Sequence, residues 1–274
     1  MRLKPSTTHS QRIITAALII LLLFITLYWG GPVLFVLLVW ACFSLGNREF
    51  LHLIYEKPVG FDLLFFWLIG TLALWEAYLT GVDGLFMALI LGSIFSFVRW
   101  IPIFSNQNRF FESMGKQMFA LWYLPLFFPF FILIRMDPQG LNWIFFLLAV
   151  NYAGDTGAYY AGRNLGRHKL APMISPQKTI EGSMGGLAAN ILMTWIFQGT
   201  LFSQYSFLQM ASLGLMIGVV SQVGDLLESM FKRTARVKDS GSLFPGHGGL
   251  LDRMDSLLLP APVVYFFIKF LLTG

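Results

Sequence analysis

Apolar runs of bilayer-crossing length recur along almost the whole chain. They fix its fold class before any single residue does. A helix needs roughly 20 mainly apolar residues to cross the hydrocarbon core of a membrane. The stretches 61–80 and 114–134 meet that length and consist mostly of Leu, Phe, Ile, Trp and Ala. Of the 274 residues 56% are hydrophobic and 12% charged, against about 25% charged in a soluble domain. Backbone polar groups in hydrocarbon must be paired within the spanning structure, which leaves helices or closed barrels. A barrel strand alternates apolar with polar residues in short segments, whereas these runs are continuous. The expected fold is all-α, that of a polytopic integral membrane protein.

Hydropathy and turn residues together predict about nine spans, at 13–29, 32–46, 61–80, 84–99, 114–134, 141–161, 182–202, 208–229 and 257–272. Tight connections are expected at Gly30-Gly31-Pro32 and around Thr80 to Gly84. The basic start before Ile13 resembles a signal peptide. The long apolar run and the poor cleavage site at Gly30-Gly31-Pro32 favour an uncleaved first span. With the N-terminus cytoplasmic, every Lys and Arg of the 19 except Arg135 and Lys269 falls on the inner side. That asymmetry predicts an N-in, C-out topology. The expected organisation is an N-terminal membrane region, 1–135, with about five spans. A C-terminal catalytic membrane region, 136–274, has about four spans and two cytoplasmic loops, 162–181 and 230–256. Cys42 is the only cysteine and lies in an apolar run. A disulfide within the chain and a cysteine zinc site are therefore excluded.

Three polar stretches interrupt the apolar background. The first runs from Asn151 to Arg163 and places Asp155 inside a span. A carboxylate at membrane depth costs on the order of 3 kcal/mol and calls for a polar cavity or a cation. The second is Ser175-Pro176-Gln177-Lys178-Thr179-Ile180-Glu181-Gly182-Ser183. Lys178 with the hydroxyls of Ser175 and Thr179 at a helix start would suit a phosphate. The bland reading is an ordinary helix start, with Ser175 as cap and Pro176 in the first turn.

The third stretch opens with Asp225 and Glu228, three apart on one helix face. It continues through the polar island Ser229 to Asp255, with Lys232, Arg233, Arg236, Lys238 and Asp239, then Gly246-His247-Gly248-Gly249 and Asp252-Arg253-Met254-Asp255. Glycines at 248 and 249 would let backbone N–H groups approach an anion. The cations would neutralise a polyphosphate. The carboxylates Asp155, Asp225, Asp252, Asp255 and Glu228 suit Mg²⁺, which prefers oxygen ligands and shares phosphate oxygens. A loop that merely contacts anionic lipid headgroups would explain the Lys and Arg but not the clustered carboxylates.

The island resembles the signature of the phosphatidate cytidylyltransferases, also called CDP-diacylglycerol synthases, of the bacterial type. Its residues read Ser229-x-Phe231-Lys232-Arg233, four residues, Lys238-Asp239-x-Gly241, then Pro245-x-His247-Gly248-Gly249-Leu250-x-Asp252-Arg253-x-Asp255. The Asp155 to Arg163 stretch and Ser175-Pro176-x-Lys178-Thr179-x-Glu181-Gly182 are similar to further motifs of that family, with Gln177 and Ile180 standing where relatives often carry Lys and Trp. The resemblance is specific over 151–256.

The resemblance implies the reaction CTP + phosphatidate → CDP-diacylglycerol + pyrophosphate, with one or two Mg²⁺ ions. It implies a multi-pass enzyme of the cell inner membrane, working as a homodimer on CTP and phosphatidic acid, with no nucleic acid partner. On this reading Asp225, Asp252, Lys232 and His247 are catalytic. Ser175, Lys178, Thr179, Arg233, Lys238, Gly248, Gly249 and Arg253 bind substrate. Asp155, Asp225 and Asp252 hold metal, with Asp255 and Glu228 as further ligand candidates. CTP-dependent activation of another lipid phosphate, such as a polyprenyl phosphate, is the alternative within enzymes. From other classes, an ion-coupled transporter would use Asp155 at the midplane, but the polar residues cluster toward one face. A lipid-binding scaffold leaves the carboxylates without a role.

Overall fold

The computed structural model describes residues 21–55, 57–103, 107–244 and 248–271. His247, a candidate catalytic residue, lies outside the described residues, as does the first part of the first span, 13–20. Residues 21–28 are helical, here α1. The helices that follow are α2 (Gly31–Ile54), α3 (Gly60–Thr80), α4 (Val82–Ile103), α5 (Gln107–Trp122), α6 (Leu124–Phe127), α7 (Pro129–Arg135) and α8 (Gly140–Leu165). Two short strands come next, β1 (Lys169–Ala171) and β2 (Ser175–Thr179). The chain then forms α9 (Ile180–Thr200), α10 (Phe207–Thr234), α11 (Leu251–Leu258), α12 (Pro260–Phe266) and a π-helical turn, Phe267–Leu271.

Five helical stretches are long and apolar enough to cross a membrane: Gly31–Ile54, Gly60–Thr80, Val82–Ile101, Phe110–Arg135 and Phe207–Thr234. Large apolar side chains such as Leu22, Ile94, Phe97, Leu192 and Trp195 stand exposed on the helices. A water-soluble surface of this kind would aggregate; a lipid-facing one needs no cover. The chain is an integral, multi-pass, essentially all-α membrane protein.

Several expected boundaries move, each for a local reason. The span expected at 32–46 continues to Ile54, because Asn47, Phe50 and Leu51 are buried. The run at 114–134 is three helices, not one, with proline near the start of the second and third, Pro125 and Pro129. Proline lacks the N–H that would continue the preceding ladder. Loop 162–181 contains an antiparallel hairpin that pairs Lys169 with Thr179 and Ala171 with Ser175. Ser175 and Pro176 therefore lie in a strand, and the helix cap is Thr179, whose hydroxyl accepts the Gly182 N–H at 3.1 Å. The island is not all loop. α10 carries Ser229 to Thr234, and α11 starts at Leu251. The tight turn expected near Thr80 is a single residue, Gly81, at φ +82°, between α3 and α4. That left-handed conformation carries little steric cost only for glycine.

The chain forms two compact units. One comprises residues up to Ile132 together with Ala235–Arg253; the other comprises Leu133–Thr234 and Met254–Gly274. In the first, Leu51, Phe65, Phe66, Ala120 and Leu121 form a buried cluster. Indole N–H groups pair with hydroxyls across its helices: Trp40 donates to Thr71 Oγ1 at 3.1 Å, Trp67 to Ser44 Oγ at 3.0 Å, and Trp122 to Ser93 Oγ at 3.0 Å. Such pairs satisfy polar groups that lipid cannot. In the second unit, α8 and α9 approach closely through small residues. A Cβ at Gly157 would come within 2.6 Å of Ala189 Cβ, and one at Gly185 within 2.2 Å of Ala161 Cβ.

Candidate active site

The second unit gathers three carboxylates. Asp225 and Glu228 share a face of α10, and Asp255 reaches them from α11. Gly224 makes room for this, since a Cβ there would lie 2.4 Å from the Asp255 carbonyl oxygen. On the other side Asn151 of α8 donates to Ser256 Oγ at 2.9 Å and ties α11 down. The Glu228 side chain is 0% exposed, and its Oε2 accepts from Lys232 Nζ at 2.7 Å, one helical turn on. Its Oε1 is buried without a hydrogen-bond partner and the carboxyl group lies against that of Asp255. Asp225 acts on Asp255 electrostatically. Asp225 Oδ2 also lies 2.5 Å from Lys178 Nζ, an ion-pair contact without hydrogen-bond alignment. Lys178 comes from β2, which sets it beside α10. Ser183 at the start of α9 hydrogen-bonds Gln222 of α10 and fixes the same junction.

This arrangement can hold a cation. Glu228 and Asp255 both face one ammonium, that of Lys232. Two carboxylates in contact away from water repel each other strongly unless a proton or a metal ion stands between them. Among the described residues no three His, Cys, Asp or Glu side chains already form a metal cage. Mg²⁺ does not require one, since it commonly takes one or two carboxylates and completes its shell with water and substrate phosphate. The donor set, oxygens only with one orphaned and buried, fits that ion.

The other candidates lie as follows. Asp155 sits on α8 and is exposed; it is not among the groups that act on Glu228 or Asp255. Arg233 Nε donates to the Ile174 carbonyl at 3.2 Å, so it braces the β1–β2 turn. Lys238 and Arg253 are exposed, and Ser175 is half-buried. Thr179 is occupied as the cap of α9. Glu181, in the first turn of α9, bonds His168 Nδ1 at 2.6 Å and accepts the Arg167 N–H at 3.0 Å. These bonds hold its carboxyl down at about 2, with the His168 contact the largest cause.

Asp252 belongs to the first unit. Its Oδ2 accepts from Gly249 N at 2.8 Å, from Ser240 N at 2.9 Å and from Ser240 Oγ at 2.9 Å. Gly248 adopts φ +83°, and a Cβ there would meet Asp252 Oδ2 at 2.5 Å. The Gly249 N–H, expected to be open to an anion, thus faces the chain's own carboxylate. Sequence reasoning missed one residue of this region entirely, Glu49 on α2. It accepts the N–H groups of Leu250 and Leu251. Its only signal was a polar triplet, Asn47-Arg48-Glu49, directly after the apolar run 32–46.

Comparison with known proteins matches residues 10–271 to the model of the cytidylyltransferase family. A phosphatidate cytidylyltransferase of Bacillus subtilis is 36% identical over 266 residues, 94% of this chain and 97% of that protein. A phosphatidate cytidylyltransferase of a Synechocystis species is 48% identical over 137 residues, 49% of this chain and 46% of its own length. The uncharacterized protein YnbB of Escherichia coli is 44% identical over 131 residues, 48% of this chain and 44% of its own length.

Proposed function

Since the chain belongs to the cytidylyltransferase family, we propose a course for its reaction that its own carboxylates and lysines support. The chain is an enzyme that converts phosphatidate and CTP to CDP-diacylglycerol and pyrophosphate, a step of phospholipid biosynthesis. An oxygen of the phosphatidate phosphate attacks the α-phosphorus of CTP. A new P–O–P bond forms, the α–β bridge breaks, and pyrophosphate leaves with the bonding electrons. The attacking oxygen is already ionised near neutral pH, because the second pKa of a phosphate monoester is about 6. No strong general base is needed. The barrier is the repulsion between two polyanions, and positioned cations lower it.

Lys178 and Lys232 are the cations nearest the carboxylate cluster. On this reading Lys178 exchanges its Asp225 partner for a nucleotide phosphate. Lys232 stays on Glu228 and offsets its charge. Arg233, Lys238, Arg253 and His247 supply further phosphate contacts, with Ser175, Thr179, Gly248 and Gly249 as the remaining substrate-side candidates. Asp225, Glu228 and Asp255 would hold Mg²⁺, which supplies charge neutralisation at the α-phosphate and the leaving pyrophosphate. Asp155 and Asp252 are the candidates for a second ion. The juxtaposition of Asp225, Glu228 and Asp255 with Lys178 and Lys232 carries this assignment.

The same reading has nine spans, an N-in and C-out topology, the bacterial inner membrane, and an active site open to the cytoplasm in the region 136–274. The placement of Lys and Arg in the sequence supports that orientation. Assembly as a homodimer belongs to the reading through the family resemblance alone. The test is purified protein with CTP, phosphatidate and Mg²⁺, followed by pyrophosphate release. Chelation with EDTA is expected to abolish release and added Mg²⁺ to restore it. Release that persists in EDTA would overturn the metal assignment, and no release beside an active relative would overturn the reaction.

A further inference from the structure

Glu49 lies in no motif, yet it is built into the motif's own loop. Its Oε1 accepts Leu250 N–H at 3.1 Å; its Oε2 accepts Leu251 N–H at 2.9 Å and lies 3.1 Å from Ser240 Oγ, whose one proton it shares with Asp252 Oδ2. The two N–H groups stand at the start of α11, where a helix leaves its first donors without internal partners. A carboxylate placed there also opposes the positive end of the helix.

Ser240 joins Glu49 to Asp252. Its Oγ lies 2.9 Å from Asp252 Oδ2, and the Asp252 N–H reaches back to that oxygen at 3.3 Å. Two carboxylates and one hydroxyl thereby fasten residue 240 to residues 249–252. Two glycines flank the Glu49 head. A Cβ at Gly241 would meet Glu49 Oε1 at 2.3 Å, and one at Gly249 would meet Glu49 Oε2 at 2.4 Å. Real Cβ contacts essentially never come that close, so a side chain at either position would displace the Glu49 head from its donors, and at Gly249 the Ser240 hydroxyl as well. Glycines that would serve an anion nest serve here as clearance for a carboxylate from α2.

We infer that Glu49 is a positioning residue for cytidylyl transfer: it sets the start of α11, the helix that carries Asp252, Arg253 and Asp255. The inference rests on the transferase reading above. Each Glu49 oxygen is already engaged by donors from the loop, so it acts through the loop and not on substrate.

The test is Glu49→Gln in the full-length protein, assayed for pyrophosphate release beside the wild type. The amide would point an N–H at a backbone N–H. A fall in kcat of about tenfold or more is expected, with a smaller change in KM for CTP. Tryptic cleavage after Lys238 should accelerate at the same time, as the loop opens more often. Gly241→Ala, whose Cβ has only Glu49 atoms as its nearest neighbours, should reproduce both effects in the wild type and add less than about twofold in a Glu49→Ala background, where the space is free. Wild-type kcat in Glu49→Gln, unchanged trypsin cleavage, a loss that only tracks the amount of folded protein, or full additivity of the two alanine variants would each overturn the role. An inactive wild type would instead overturn the transferase reading.

Discussion

The protein has two groups of carboxylates, and they are satisfied in opposite ways. Glu49 and Asp252 face neutral donors: four backbone N–H groups and the Ser240 hydroxyl. Asp225, Glu228 and Asp255 face lysines and one another. A carboxylate saturated by backbone N–H is stable as it stands and fixes the chain around it. A carboxylate pressed against another is not, and gains from any cation that arrives. The first group therefore fastens the chain, Asp252 through its Oδ2, and the second reads as the place where charge is exchanged with substrate.

The sharpest way to break this contrast is to remove one member of the second group. Asp255→Asn keeps the shape and deletes a charge, so turnover should fall by about a thousandfold at saturating substrate. The pyrophosphate assay reads it, and activity within a few fold of wild type would end the assignment. A next test removes the cation. Lys232→Met leaves Glu228 buried beside Asp255 without its ammonium, and should destabilise the protein by about 3 kcal/mol. Thermal unfolding in detergent would show the loss. Adding Glu228→Gln should recover most of it, and failure to do so would mean that Lys232 contributes through packing instead.

The smallest effect belongs to Glu181, a half-buried carboxylate satisfied much as Glu49 is, but at the edge of the solvent. Its bonds to His168 and to the Arg167 N–H hold its pKa at about 2 rather than the usual 4.5. The lowered value means that this contribution is fully present above pH 4.5 and is lost as the pH falls through about 2. Amide exchange at Arg167 and His168, corrected for intrinsic rates, should show protection that persists at pH 5 and disappears near pH 2. Equal protection at both would show that the hairpin does not depend on this carboxylate.

The helical membrane fold was legible because lipid makes one demand of every span, and runs of Leu, Phe and Ile meet it visibly. The segmented stretch Phe110–Arg135 was legible only in part. Pro125 and Pro129 were in plain view, but hydropathy averages across them. In the site, residue spacing put Asp225 beside Glu228, since a helix brings positions three apart together. It could not rank Asp252 against Asp255, because both lie on α11 and only the surroundings separate them: Asp252 among backbone donors, Asp255 against Glu228. Glu49 was beyond reach for a simpler reason. Its partners are 191 to 202 residues away, and no local pattern encodes a contact of that range.

That same separation has a consequence for biosynthesis. Glu49 leaves the ribosome long before Ser240, Leu250 and Leu251 exist. At about 5–20 residues per second, the gap is about 10–40 s. Throughout that interval α2 carries a carboxyl group with none of its final partners, so the clamp can close only when almost all of the chain has been made. Nascent chains stalled before residue 250 would contain every early span and still lack the fastening of residue 240 to residues 249–252, so activity should appear late and all at once during synthesis rather than in stages.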